Sequence, residues 1–239
     1  MPRVSAWLRL ALLASALLLL PLGLSACAAD QTQALLGCGN STSPCLKGKA
    51  LVSLQTSRGE VQLSLDGDAA PLTAGNFVDL VQKGAYNGTV FHRVVREPVP
   101  FVVQGGDPLS ADPKVPASQY GTGSFIEPSS GAARLIPLEL KLSGEGSPRY
   151  GQPITSAAET RQLALQHQRG ALAMARSGDP NSASSQFYVA LEALPELDGR
   201  YAVFGRVSKG MEVVDRIQQG DRLTKAVLLE GGTLVKPRP

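Results

Sequence analysis

Short segments with alternating apolar residues, punctuated by glycine, proline and asparagine, recur along this chain and restrict it to a β-rich architecture. In Val61-Gln62-Leu63-Ser64-Leu65 every second residue is apolar, the period of a strand with one buried face. The preceding run Ala50–Thr56 is joined to it through Ser57-Arg58-Gly59, which predicts a hairpin. Further strands are expected at Val90–Val95, entered through the Asn87-Gly88 turn, and at Gly170–Ala175, Gln186–Leu191 and Ala202–Val207. Between Pro71 and Lys83 the period becomes helical: Phe77, Leu80 and Val81 share a face, and Gly84 stands where a C-terminal cap belongs. Gly210–Ile217 reads as a second short helix with Val213, Val214 and Ile217 inward. This pattern predicts a mainly β fold, a closed barrel with helices at its ends. The Pro-, Gly- and Ser-containing stretch from Pro108 to Gln168 reads as ordered loop with a helix at Ser156–Gln166.

The N-terminus reads as a targeting segment. Arg3 and Arg9 precede an almost wholly apolar run from Leu10 to Leu24, and Leu24-Ser25-Ala26 leads directly to Cys27. A charged start, a short apolar stretch and small residues before the cut describe a bacterial signal peptide over residues 1–26. The run is short for a bilayer span, which takes about 20 residues. The small residues before Cys27 resemble the lipobox of bacterial lipoproteins, which implies lipidation of Cys27 and an extracytoplasmic, membrane-anchored mature chain. Residues 27–48 lack sustained periodicity and read as a flexible tether. Residues 49–237 then form one domain, long enough for a full core. With Cys27 assigned to lipid, Cys38 and Cys45 remain, separated by six residues. Outside the cytoplasm this pair can close a disulfide; the alternative is two free thiols.

Charge excludes one class of partner. The 23 Lys and Arg stand against 20 Asp and Glu. Without residues 1–26 two arginines go, leaving 21 basic against 20 acidic residues. That balance offers no electrostatic case for nucleic acid. Two cysteines supply half a zinc site, and His92 and His167 lie far from them in sequence, so no metal is expected. Ser184 and Ser185 stand near no obvious base, and Gly105-Gly106-Asp107 lacks the lysine of a phosphate loop and reads as a tight turn.

The chemistry-bearing stretch is Phe91-His92-Arg93, followed by Phe101-Val102-Val103-Gln104-Gly105-Gly106-Asp107. It places one permanent cation beside apolar residues, and Gln104 alternates with Val102 along the same strand. Three further blocks accompany it in order: Asn76-Phe77 through Tyr86-Asn87-Gly88-Thr89; Gly170-Ala171-Leu172-Ala173-Met174-Ala175 leading to Ser184-Ser185-Gln186-Phe187; and Leu197-Asp198-Gly199-Arg200-Tyr201-Ala202-Val203-Phe204-Gly205 with Gly210-Met211. Together, from about Lys49 to Leu234, they resemble the cyclophilins, peptidyl-prolyl cis-trans isomerases. The resemblance implies an eight-stranded antiparallel barrel capped by two helices and a cofactor-free activity, rotation about X-Pro bonds. It implies Arg93, Phe101 and Gln104 as catalytic residues. It implies Val102, Tyr188 and Leu197, with Phe101, around the proline ring, and Ala175 and Gln186 along the groove for the preceding substrate residues. Tyr201 stands at a groove position where many members carry histidine.

The reaction requires no proton transfer, so His92 is not expected to act as a base, and strand alternation puts it on the face opposite Arg93. His167 is expected to be structural. The link from Val94 to Pro100 is longer than in many members and should bulge. Arg176 stands where asparagine is common, and Glu196 where some members carry a tryptophan that binds cyclosporin. The expected partners are proline-containing stretches of exported polypeptides, met by a monomer that assists folding. A non-catalytic proline-peptide-binding chaperone is the alternative, and a structural envelope lipoprotein a third reading. Retention of Arg93, Phe101 and Gln104 together favours the enzyme.

Overall fold

The computed structural model describes residues 37–235 apart from positions 40 and 42. The signal segment, Cys27 and most of the expected tether lie outside the described residues. Twelve strands are present among the described residues: β1 (Cys45–Leu46), β2 (Lys49–Thr56), β3 (Gly59–Asp66), β4 (Arg93–Val95), β5 (Val102–Gly105), β6 (Glu139–Leu140), β7 (Arg149–Tyr150), β8 (Ala171–Met174), β9 (Phe187–Ala190), β10 (Val203–Lys209), β11 (Leu223–Gly231) and β12 (Leu234–Val235). Eight of them form one antiparallel sheet in the order β11-β2-β3-β10-β8-β9-β5-β4.

The sheet curls into an open half-barrel, which corrects the expectation of a closed one. β11 and β4 are its two ends and share no ladder. The expected strand Val90–Val95 shortens to Arg93–Val95 because the backbone before it is already committed. The Val90 N–H donates to the Ser110 hydroxyl, and the Phe91 N–H donates to the Asp221 carbonyl. An isolated bridge, Val90 to Arg222, spans the seam at that point.

Alternation divides the side chains between two apolar clusters. Val52, Leu54, Val61, Leu63, Leu65, Val103, Leu172, Met174, Phe187 and Val189 point into the concave side and pack on helix α1 (Pro71–Gln82). Phe77 is the centre of that core, with its ring 4.9 Å from Tyr86, 5.4 Å from Phe187 and 5.3 Å from Phe204. Val102, Ala171, Ala173, Tyr188, Ala190 and Val203 form the second cluster, on the convex side.

Helix α1 matches its predicted span to within a residue and is buried almost all round. Its free N-terminal N–H groups are satisfied from far along the chain. Ala70 precedes Pro71 and has no capping side chain, so the buried Glu139 carboxylate accepts from Leu72 N–H at 3.0 Å and Thr73 N–H at 2.7 Å. The other two expected helices shrink to single turns, α2 (Ala157–Thr160) and α3 (Met211–Val214). α3 starts at Gly210, whose φ of 88° admits glycine readily.

The tether boundary also moves. Cys45 and Leu46 are buried in β1, which pairs with β12 at the other end of the described chain. A Cβ on Gly75 would lie 2.3 Å from the Pro44 carbonyl and 2.6 Å from Cys45 Cα, so this segment lies directly on α1. The folded unit therefore begins before Lys49. Cys38 and Cys45 are disulfide-bonded, with Cα atoms 5.8 Å apart. Gly/Ser/Pro composition marked this stretch as linker, but Leu46 and the bonded cysteine hold it to the core.

Candidate active site

Antiparallel pairing lines up side chains from four strands. Arg93 opposes Gln104, Gln104 opposes Tyr188, and Tyr188 opposes Ala173. Directly opposed residues project to the same face, here the convex one. The row ends at the exposed Arg93, whose Nη1 donates to Gln104 Oε1 at 3.3 Å. Its guanidinium carbon lies 5.6 Å from the centre of the Phe101 ring. Among the described residues no carboxylate comes within ion-pair distance of Arg93. A cavity of about 270 Å³ opens there, lined by Arg93, Phe101, Val102, Gln104, Ala175, Arg176, Tyr188, Leu197 and Tyr201.

The floor of this cavity is braced from below. Asp198 Oδ1 accepts from both the backbone N–H of His167 and its Nδ1, each at 2.8 Å. That assigns the ring proton to Nδ1 and leaves Nε2 as the acceptor for the Tyr188 hydroxyl at 2.9 Å. Burial lowers the His167 pKa, with Asp198 opposing it, and burial raises that of Tyr188. The expectation that His167 is structural thus gains a specific form. It ties Tyr188 on β9 to Asp198, which directly follows Leu197 at the end of the 3₁₀ turn Pro195–Leu197. Tyr201 closes the wall edge-on to Tyr188, with centroids 5.9 Å apart at 83°.

Gln186 lines a second, adjoining cavity of about 180 Å³ with Gln104, Ala175, Arg176 and the polar stretch Gly121–Ser124. Gln104 Nε2 donates to Gln186 Oε1 at 3.2 Å, and Gln186 Nε2 donates to the Gly121 and Gly123 carbonyls at 3.0 and 2.9 Å. The glutamine pair thereby runs from Arg93 to the far loop. That loop is fixed by the buried Asp107, which accepts from the N–H groups of Leu109, Gly121 and Gly123.

His92 lies just before β4, outside the ladder. Its ring packs against Gly121, where a Cβ would meet it at 3.2 Å. Both ring nitrogens are buried without a hydrogen-bond partner among the described residues, and burial lowers the pKa. It lines neither cavity. In the longer link after Arg93, Arg96 reaches across to donate to the carbonyls of Val214 and Ile217 at 3.0 and 2.9 Å. A depression of about 750 Å³ lies beside that link between Arg58, Val95, Arg96 and Arg216, and contains neither Arg93 nor Gln104.

A family profile described as cyclophilin type peptidyl-prolyl cis-trans isomerase/CLD matches residues 51–234. A protein of Synechocystis sp. named for a thylakoid lumen peptidyl-prolyl cis-trans isomerase is 39% identical over 198 residues, 79% of this chain and 49% of that protein. Peptidyl-prolyl cis-trans isomerase A of Dickeya dadantii is 36% identical over 173 residues, covering 70% of each chain. The chain therefore spans about half the length of the Synechocystis relative. A crystal structure of a Cryptosporidium parvum cyclophilin type peptidyl-prolyl cis-trans isomerase, determined in the presence of the dipeptide Ala-Pro, shares the fold. Its TM-score is 0.55 at 23% identity, over 76% of this chain and 99% of that one.

Proposed function

Because the chain belongs to the cyclophilin-type peptidyl-prolyl cis-trans isomerase family, we propose that its convex-face cavity accelerates rotation about X-Pro bonds in exported polypeptides and so assists their folding. The observation that carries the reading is the Arg93 guanidinium, unpaired by any described carboxylate and held by Gln104 at the lip of an apolar pocket. The chemistry asks for little else. Amide resonance sets a barrier of about 18–20 kcal/mol, and uncatalysed X-Pro exchange takes tens to hundreds of seconds. Twisting the bond breaks resonance and returns a lone pair to the proline nitrogen. A donor aimed there binds the twisted amide better than the planar one, which lowers the barrier without a covalent step. Arg93 is that donor. Gln104 orients it and the substrate backbone. Phe101, Val102, Tyr188, Leu197 and Tyr201 hold the proline ring, which has no N–H to satisfy. Ala175 and Gln186 guide the residues before it.

The location belongs to the same proposal. Residues 1–26 are removed, Cys27 carries the acyl chains, and the stretch between Cys27 and the disulfide spaces a monomeric domain from the bilayer. The Cys38–Cys45 bond suits an oxidising compartment, and the lumenal name of the Synechocystis relative points the same way. The soluble chain from Ala28 onward is expected to speed cis-trans exchange of a proline tetrapeptide in a protease-coupled assay; rates equal to the uncatalysed reaction would refute the isomerase. Intact-mass analysis of the mature full-length protein should find Cys27 acylated and the mass increment lost in Cys27→Ser. An unmodified Cys27 would remove the anchor.

A further inference from the structure

Arg176 is the wall shared by the two cavities, lining both the pocket of about 270 Å³ and the adjoining one of about 180 Å³. Its side chain is held rather than free. Nε and Nη2 donate to the Arg200 carbonyl at 3.0 and 2.7 Å, and Nη1 donates to the Ser177 and Gly178 carbonyls at 2.8 and 3.2 Å. The guanidinium lies 4.8 Å from the centre of the Tyr201 ring, itself part of the pocket. A guanidinium has five N–H donors. Four are engaged here, and one on Nη2 has no acceptor among the described residues.

Every one of those acceptors is a neutral carbonyl, so none cancels the charge. Among the described residues no carboxylate lies within ion-pair distance of Arg176. The linings of both cavities contain no Asp or Glu, while the first also holds Arg93. Of the nearby acids, Asp198 bonds His167, Asp179 accepts from the Asn181 N–H, and Glu196 is exposed; none of the three lines either cavity. The groove thus presents two fixed positive charges with no carboxylate in its lining, and the Arg176 guanidinium keeps one spare donor.

We propose that Arg176 makes this site selective for X-Pro segments bearing a carboxylate side chain on one of the two residues that precede the proline. The proposal rests on the isomerase reading, which places the preceding residues along Ala175 and Gln186, the two neighbours of Arg176 in the adjoining cavity. A glutamate or aspartate there supplies the missing counter-charge to a guanidinium already immobilised. Little side-chain entropy is lost when the pair forms. A neutral isostere of the same shape gains only the hydrogen bond.

The test compares peptides within one enzyme, so that any general loss of activity cancels. Tetrapeptides with Glu or Gln directly before proline, with Glu or Gln one position earlier, and with Glu or Gln after proline are assayed with the soluble chain. For the better of the two preceding positions, kcat/KM should favour Glu over Gln by about 2- to 5-fold, the scale of one partly exposed ion pair. The pair placed after proline should show no such ratio. Raising salt to about 1 M, where the Debye length falls to about 3 Å, should bring the ratio towards one. Arg176→Gln should abolish it, and Arg176→Glu should favour Lys over Gln at the same position. Equal turnover of the Glu and Gln peptides by the unmodified protein overturns the proposal while leaving the isomerase intact, and so does a ratio that survives Arg176→Gln. No turnover of any peptide overturns the isomerase reading itself, and this proposal with it.

Discussion

Arg93→Ala is expected to lower kcat/KM by about 10²–10³-fold, the scale for losing one preorganised transition-state donor. The melting temperature should hardly move, because Arg93 is exposed and its side chain's one strong tie is to Gln104. Arg93→Lys should recover only part of the activity, since an ammonium cannot hold a carbonyl and address the proline nitrogen as a planar fork does. Between about pH 6 and 9 the wild-type rate should be flat, because arginine keeps its charge there. A profile following a histidine would instead bring His92 back into the reaction. Gln104→Ala should act in the same direction more weakly, as it frees Arg93 without removing it.

Glu139→Ala should be the most damaging single substitution outside the site. It strips the carboxylate from Leu72 N–H and Thr73 N–H, both buried at the start of helix α1. Each orphaned donor costs about 1–3 kcal/mol, so the loss should be about 2–6 kcal/mol. For a domain of this size that corresponds to a fall of about 5–20 °C in Tm. Glu139→Gln retains one acceptor and should lose less. The two proteins should also respond differently to pH. Burial raises the Glu139 carboxyl above its ordinary value, against the pull of the two N–H donors. A raised folded pKa means that this group's contribution is complete below the unfolded value of about 4.3 and declines as pH rises towards the folded one. The advantage of wild type over Glu139→Gln should therefore narrow with rising pH across that interval. Parallel melting curves at all pH values would show that the carboxyl does not titrate there.

What could be read from the sequence was whatever is local. The β2–β3 hairpin and helix α1 follow from period and turn chemistry, and appear close to their predicted bounds. The site row was legible because Gln104 and Val102 alternate within one strand and the accompanying blocks carry a family resemblance. β11 escaped for a physical reason. Its apolar run Ala226-Val227-Leu228-Leu229 does not alternate, and two register shifts, between Leu223 and Lys225 and between Leu228 and Glu230, change which face each residue takes. Glu139 escaped because it caps a helix that begins 68 positions earlier in the chain, and no local pattern records that. The brace from Asp198 through His167 to Tyr188 is likewise assembled only by folding. The barrel read as closed because strand number says nothing of how a backbone spends its N–H groups at the seam.

The β1–β12 pair decides how the domain responds to being held. Cys45 opposes Val235 and Leu46 opposes Leu234, so the chain enters the fold beside the point where the described chain leaves it. Tension from the N-terminal side is met first at Cys38, whose disulfide passes it to Cys45 on the α1 surface. It reaches the sheet through β2, at the opposite end of the strand order from β5 and β4. On the proposed N-terminal tether, the pull would therefore enter the sheet at the end away from Arg93, Gln104 and Tyr188.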